Sequence, residues 1–163
     1  MPELDTLFAL AELAVGMAGF SAIVVLFKRR ESGRWLPRDA DRFNGMVLHA
    51  MAGAAFCFLP AFVDVLTGQE STLWRVCSAL LGAQIAIHAA IVVRLPSTSM
   101  RARALVAGGA LVAVTLQVLN VADLWIPNGF TPYLIGLQWH LLQAGVLFVL
   151  LIWVRDDDIE GGA

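Results

Sequence analysis

Five long apolar segments joined by short polar connections are the feature that most constrains this chain. A helix needs about 20 consecutive apolar residues to cross the hydrocarbon core of a bilayer. The sequence meets that length five times, at about residues 6–27, 43–66, 73–93, 104–126 and 132–154. The apolar runs are continuous rather than alternating, which is unlike the pattern of an outer-membrane β-barrel. The sequence therefore predicts an all-α, polytopic transmembrane helix bundle with five spans.

Composition excludes the main soluble classes. The chain is 59% hydrophobic and 15% charged, whereas soluble domains are about 45–50% apolar and about 25% charged. A soluble fold of this size could not bury so much apolar surface, which argues against a soluble enzyme or a disordered chain. The net charge of -2 gives no reason to expect nucleic acid as a partner. Since the spans leave only about 50 residues for connections, residues 1–163 are predicted to form a single membrane domain.

Basic residues predict how the chain is oriented. The connection after the first span contains a basic cluster, Lys28, Arg29, Arg30 and Arg34. The opposite side contains Arg75 among mostly acidic residues. The positive-inside rule then places the N-terminus outside and both the basic cluster and the C-terminus in the cytoplasm. We interpret the cluster as a topology determinant, with binding of anionic lipid headgroups as the alternative.

The connections carry no recognisable catalytic or nucleotide-binding motif. We find no P-loop, dinucleotide-binding turn, zinc-protease helix or nucleophile elbow in the sequence. This absence favours a non-enzymatic role. An enzyme that acts on lipid is a low-ranked alternative, because no nucleophile–base pair is recognisable. Cys57 and Cys77 are not expected to pair, because their depths in the second and third spans differ by roughly 7–8 Å.

Pro60 lies inside the second predicted span. A proline in a helix removes one backbone N–H, so a carbonyl one turn earlier loses its usual donor. In a bilayer that carbonyl needs a partner from a neighbouring helix. A separate prediction concerns Tyr133 near the start of the fifth span. Because tyrosine is enriched at membrane–water interfaces, we assign Tyr133 to the outer interface.

Polar and small residues inside the spans indicate helix faces that are turned away from lipid. Glu12 is the most informative, because a carboxylate at mid-helix costs about 2.5–3.5 kcal/mol on insertion scales. It lies roughly 10 Å below the outer boundary, and His140, about eight residues into the fifth span, has a similar depth. We expect a hydrogen-bonded Glu12–His140 pair with amide neighbours, either as a structural network or as a proton- or ion-responsive site. The candidates for this pore or polar network are Glu12, Gly16, Gly19, Gln117, Asn120, His140 and Gln143.

His49 and His88 form a second predicted layer. Each lies about six residues from the cytoplasmic end of its span. Two histidines at equal depth could ligate a haem b from both faces or bind a transition metal. The alternatives are packing histidines bonded to Asn44, Gln84 or a carbonyl, and histidines that line a cavity. No other cofactor is indicated.

The run ELAVGMAGFSAIVV, from Glu12 to Val25, precedes the basic cluster. It resembles the first span of small bacterial multi-pass membrane proteins that have no assigned activity. The resemblance covers about the first 30 residues. It implies a bacterial inner-membrane location and transfers no functional residue.

The favoured function is a homo-oligomeric channel or pore for small ions or solutes. Five short helices enclose little volume, so a water pathway is built more easily at a symmetry axis between copies, with the first helix lining it. One alternative is a membrane subunit or scaffold that acts through a partner protein. The other is a b-type haem electron-transfer protein that uses His49 and His88. Each of these three functions places the chain in a lipid bilayer.

Overall fold

The computed structural model describes residues 2–32, 37–95, 99–124 and 129–153. Over these residues the regular secondary structure comprises five α-helices, α1 (Pro2–Ser32), α2 (Pro37–Thr67), α3 (Glu70–Val92), α4 (Met100–Val121) and α5 (Phe130–Trp153). Each contains a stretch that is long and apolar enough to cross a membrane, from 21 residues in α3 to 29 in α2. The all-α prediction and the five apolar helices are therefore confirmed for the described residues.

All five helices begin before their predicted apolar limits, and the difference is largest for α2. α2 begins at Pro37 rather than near residue 43, because proline suits the first helical position and polar residues continue the helix outside the apolar stretch. α1 continues to Ser32 and carries Lys28, Arg29 and Arg30 in its last turns. Position 34, with the fourth basic residue of the cluster, lies outside the described residues, as do positions 154–163.

The end of α4 differs from its prediction. The helix ends at Val121, before the predicted end near residue 126. Asp123 takes a left-handed conformation with φ of 57°. The N–H of Leu124 donates to the carbonyl of Leu119 at 2.9 Å, and that of Asp123 donates to Asn120 at 3.2 Å. This Schellman arrangement closes the helix, and Arg75 holds the Asp123 carboxylate at 2.7 Å.

The chain divides into two compact units. Unit 1 comprises Met1–Phe8 and Phe56–Trp139, and unit 2 comprises Ala9–Ala55 and His140–Ala163. Helices α1, α2 and α5 contribute residues to both units, whereas α3 and α4 belong to unit 1.

Unit 1 is organised by the packing of α3 on α4 and by the first half of α5. Buried apolar residues follow one another every four positions along α3, at Leu73, Cys77, Leu81 and Ile85. The buried positions of α4 recur every three or four residues, at Ala110, Ala113, Gln117 and Asn120. Both spacings keep the buried residues on one helix face. The α4 face places two amide side chains in the interior of unit 1.

Unit 2 has a core of small and flexible side chains. Met46 and Ala50 of α2 and Ala144 of α5 are fully buried there. Partly buried apolar residues pack around them, namely Met17, Ala18, Phe43, Val47, Leu147 and Phe148. Alanines at the contact let helices approach closely, so side chains on α2 and α5 can meet directly.

Candidate functional site

A buried pair of histidines joins α2 and α5 in unit 2. His49 of α2 and His140 of α5 are 3% and 1% exposed. Their Nδ1 atoms are 3.2 Å apart, and their rings are tilted by 44° with centroids separated by 5.5 Å. One Nδ1 must carry a proton and donate it, while the other must be an unprotonated acceptor. The pair can therefore share a proton, or it can offer two nitrogen lone pairs to a metal ion.

Gly53 explains how the two imidazoles reach each other. It lies one turn after His49 on the same face of α2. A Cβ placed on Gly53 would be 3.5 Å from the Cβ of His140, which is ordinary van der Waals contact. With Ala50 and Ala144 also fully buried, small residues surround the pair along both helices.

The expected bond between Glu12 and His140 is not present in the described part of the chain. Glu12 is exposed, whereas His140 contacts His49 through Nδ1. The reason is that the Glu12 side chain and the buried residues lie on different faces of α1. The buried residues of this helix include Leu7, Ala11 and Ala14, a spacing that defines one face, and Glu12 points away from it.

Glu12, Gly16 and Gly19 share an exposed side of α1, here called the Glu12 face. All three are exposed. A Cβ added at Gly16 or Gly19 would have no described heavy atom of another part of the chain within 4 Å. These three sequence candidates are thus on one helix face, and that face is open.

The predicted amides lie in unit 1 and hold backbone carbonyls at the start of α5. Gln117 is 1% exposed, and its Nε2 donates to the carbonyl of Pro132 at 2.6 Å. Asn120 Nδ2 lies 2.7 Å from Ser78 Oγ and 2.8 Å from the Gly129 carbonyl. Carbonyl partners of this kind indicate a structural role. Gln143, the remaining amide candidate, is half-buried in α5.

Tyr133 has a role that its assignment to an aromatic belt did not reveal. It is fully buried, and its hydroxyl donates to the carbonyl of Phe56 at 2.6 Å. Phe56 lies four residues before Pro60, so this is the carbonyl that the missing proline N–H leaves without its helical donor. The expected partner from a neighbouring helix is therefore confirmed. The signal was present in the sequence as Pro60, but nothing there identified Tyr133.

The two thiols and His88 lie in unit 1. Cys57 and Cys77 are both buried and free. His88 is half-buried on α3 in unit 1, and haem ligation by His49 and His88 stays a prediction. Within the described ranges, no group of three or more His, Cys, Asp or Glu residues could hold a metal ion.

Comparison of the chain with protein-family models, with curated proteins and with solved structures finds no match. Functional inference therefore depends on the residues and their geometry.

Proposed function

We propose that this chain is a multi-pass protein of the bacterial inner membrane that forms a homo-oligomeric channel or pore for small ions or solutes. The observation that carries the proposal is the exposed Glu12 face. Glu12 lies within the apolar stretch Glu3–Phe27 of α1, and no described residue of its own chain pairs with its carboxylate. The N-terminus is proposed to lie outside and the C-terminus in the cytoplasm, following the basic residues at the end of α1.

The energetics favour covering the Glu12 face with further copies of the chain. A charged side chain at the centre of a span costs about 2.5–3.5 kcal/mol on insertion scales. Copies of α1 arranged around a symmetry axis would remove Glu12 from lipid and place it beside water. Gly16 and Gly19 lie one and two turns further along and leave room for another helix to approach.

The packing of α1 is consistent with that role. In the apolar stretch of α1, 17% of the residues are buried within the chain, compared with 44% in the apolar stretch of α2. α1 thus has more free surface for contact with other copies. A ring that takes one Glu12 from each copy would attract cations, as carboxylate rings do in cation channels. The proposed conducted species is therefore a small cation.

We expect the purified protein in liposomes to pass small cations in preference to anions, and Glu12→Gln to weaken that preference. Two unit charges about 4 Å apart interact by about 1 kcal/mol in water. Removing the Glu12 charge should therefore lower the cation-to-anion permeability ratio by about fivefold or more. The measurement is the reversal potential of reconstituted protein in a salt gradient.

Glu70→Gln is the matched control for charge. Glu70 is exposed at the first position of α3, outside the apolar stretch Thr72–Val92. This variant should keep the wild-type permeability ratio. Flux equal to that of empty liposomes would contradict the proposal, and so would an equal loss of selectivity in the two variants.

Gly16→Leu should disrupt the oligomer while leaving the fold of the chain intact, because the position is open and a bulky side chain would block close helix contact. Gly108→Leu is the control, since Gly108 is equally open on α4. Native mass spectrometry of detergent-extracted protein reports the copy number of each variant. A monomeric wild type would refute the proposal. A second protein bound at fixed stoichiometry would instead favour the subunit or scaffold alternative.

A further inference from the structure

We propose that His49 and His140, together with the thioether of Met46, form a binding site for one Cu(I) ion. This site belongs to unit 2 and requires no contact between copies, so it goes beyond the proposed channel. The two nitrogen ligands come from different helices, and both imidazoles are more than nine-tenths buried. They already face each other through the same ring atom.

The separation of the two Nδ1 atoms suits a shared metal ion. With metal–nitrogen bonds of about 2.0 Å, the observed 3.2 Å corresponds to a nitrogen–metal–nitrogen angle of about 105°. That angle fits a trigonal or tetrahedral site. Binding requires one imidazole to move its proton from Nδ1 to Nε2, so both rings become neutral ligands and no proton is released.

Met46 is the candidate third ligand. It lies three residues before His49 on the same face of α2 and is fully buried. Helical side chains lean toward the N-terminus, so His49 leans over the turn that carries Met46. Met46 also packs with Ala144, one turn beyond His140 on α5. We therefore assign the thioether of Met46 as the third ligand in the proposed site.

The chemistry of this donor set favours a soft monovalent ion. Thioether ligands favour soft ions such as Cu(I), and imidazole also suits copper. Imidazole and thioether are both neutral, so the three ligands themselves bring no negative charge to the ion. A dication would therefore keep its full charge in a buried setting, and the desolvation penalty rises with the square of the charge. Zn²⁺ is disfavoured for this reason.

The test is a Cu(I) titration of the purified full chain in detergent, with a chromophoric chelator as competitor. We expect one Cu(I) bound per chain. Loss of a second-shell group weakens metal sites by about 10–100-fold, so His49→Gln or His140→Gln, which removes a ligand, should weaken binding by about 100-fold or more. Met46→Leu should weaken it by about tenfold. An excess of Zn²⁺ should not displace the Cu(I).

The chain offers a control for each ligand type. His88→Gln removes the remaining histidine from unit 1, and Met51→Leu changes an exposed methionine on the same helix as Met46. Both should bind Cu(I) as the wild type does. Helix content and elution volume identify any variant that fails to fold, and X-ray absorption of the wild-type complex reports nitrogen and sulfur ligands directly. Unchanged binding in the His49→Gln/His140→Gln double variant would overturn the proposal, as would a wild type that binds no Cu(I).

Discussion

Replacing Gly109 with alanine should lower the free energy of unfolding by about 1–3 kcal/mol, the usual range for an overpacked interior. A Cβ at this position would lie closer to Cη2 and Cζ3 of the Trp139 indole, in unit 1, than real Cβ atoms come to their neighbours. These distances are far below van der Waals contact, so the indole must move. The measurement is detergent-micelle unfolding by SDS titration, followed by circular dichroism.

Gly108 gives the matched comparison, because a Cβ there meets nothing within 4 Å. Alanine is the better helix former by up to about 1 kcal/mol, so Gly108→Ala should leave stability unchanged or raise it. Adding Trp139→Leu should remove most of the further loss caused by Gly109→Ala, since the contacted ring atoms are gone. Equal effects of the two alanines would show that Trp139 does not pack on Gly109.

Tyr133→Phe should destabilise unit 1 by about 1–2 kcal/mol, because it removes the hydroxyl that donates to the part-buried carbonyl of Phe56. The size of this loss should depend on Pro60. In a Pro60→Ala background, residue 60 regains its N–H and can donate to Phe56 within α2. The effect of Tyr133→Phe should then shrink.

A double-mutant cycle of these two changes, measured by the same unfolding assay, isolates the coupling. We expect a coupling energy of at least about 0.5 kcal/mol, the lower end for residues that share a partner. The loss of proline volume is common to both arms and cancels. Strictly additive effects would mean that Tyr133 does not replace the missing N–H.

The sequence predicts features that depend on position along a helix better than those that depend on direction around it. The five apolar helices follow from the length of each apolar run. Pro60 likewise predicts that the carbonyl of Phe56 needs a hydrogen-bond donor from another helix. Glu12 and His140 have similar predicted depths, yet Glu12 is exposed and His140 is buried. Nothing in the sequence of α1 indicates the buried side, because apolar residues surround the helix.

The sequence does not predict the pairing of His49 with His140, for a different reason. A helix start near residue 43 places His49 in a layer with His88. Counted from the observed start at Pro37, it lies about 18 Å along α2. His140 lies about 15 Å along α5 from Phe130. Both are therefore near the middle of their helices, and the earlier start of α2, which adds residues 37–42, accounts for the difference.

The order of synthesis gives these contacts a further consequence. His49 and the Phe56 carbonyl are made with α2, but their partners on α5 follow 91 and 77 residues later. At about 5–20 residues per second of translation, the delay is about 4–18 s. In the proposed membrane location, lipid would offer no hydrogen bond to this imidazole and this carbonyl during that interval. The proposal therefore implies that these two groups of the nascent α2 stay near water or other protein until the ribosome has released α5.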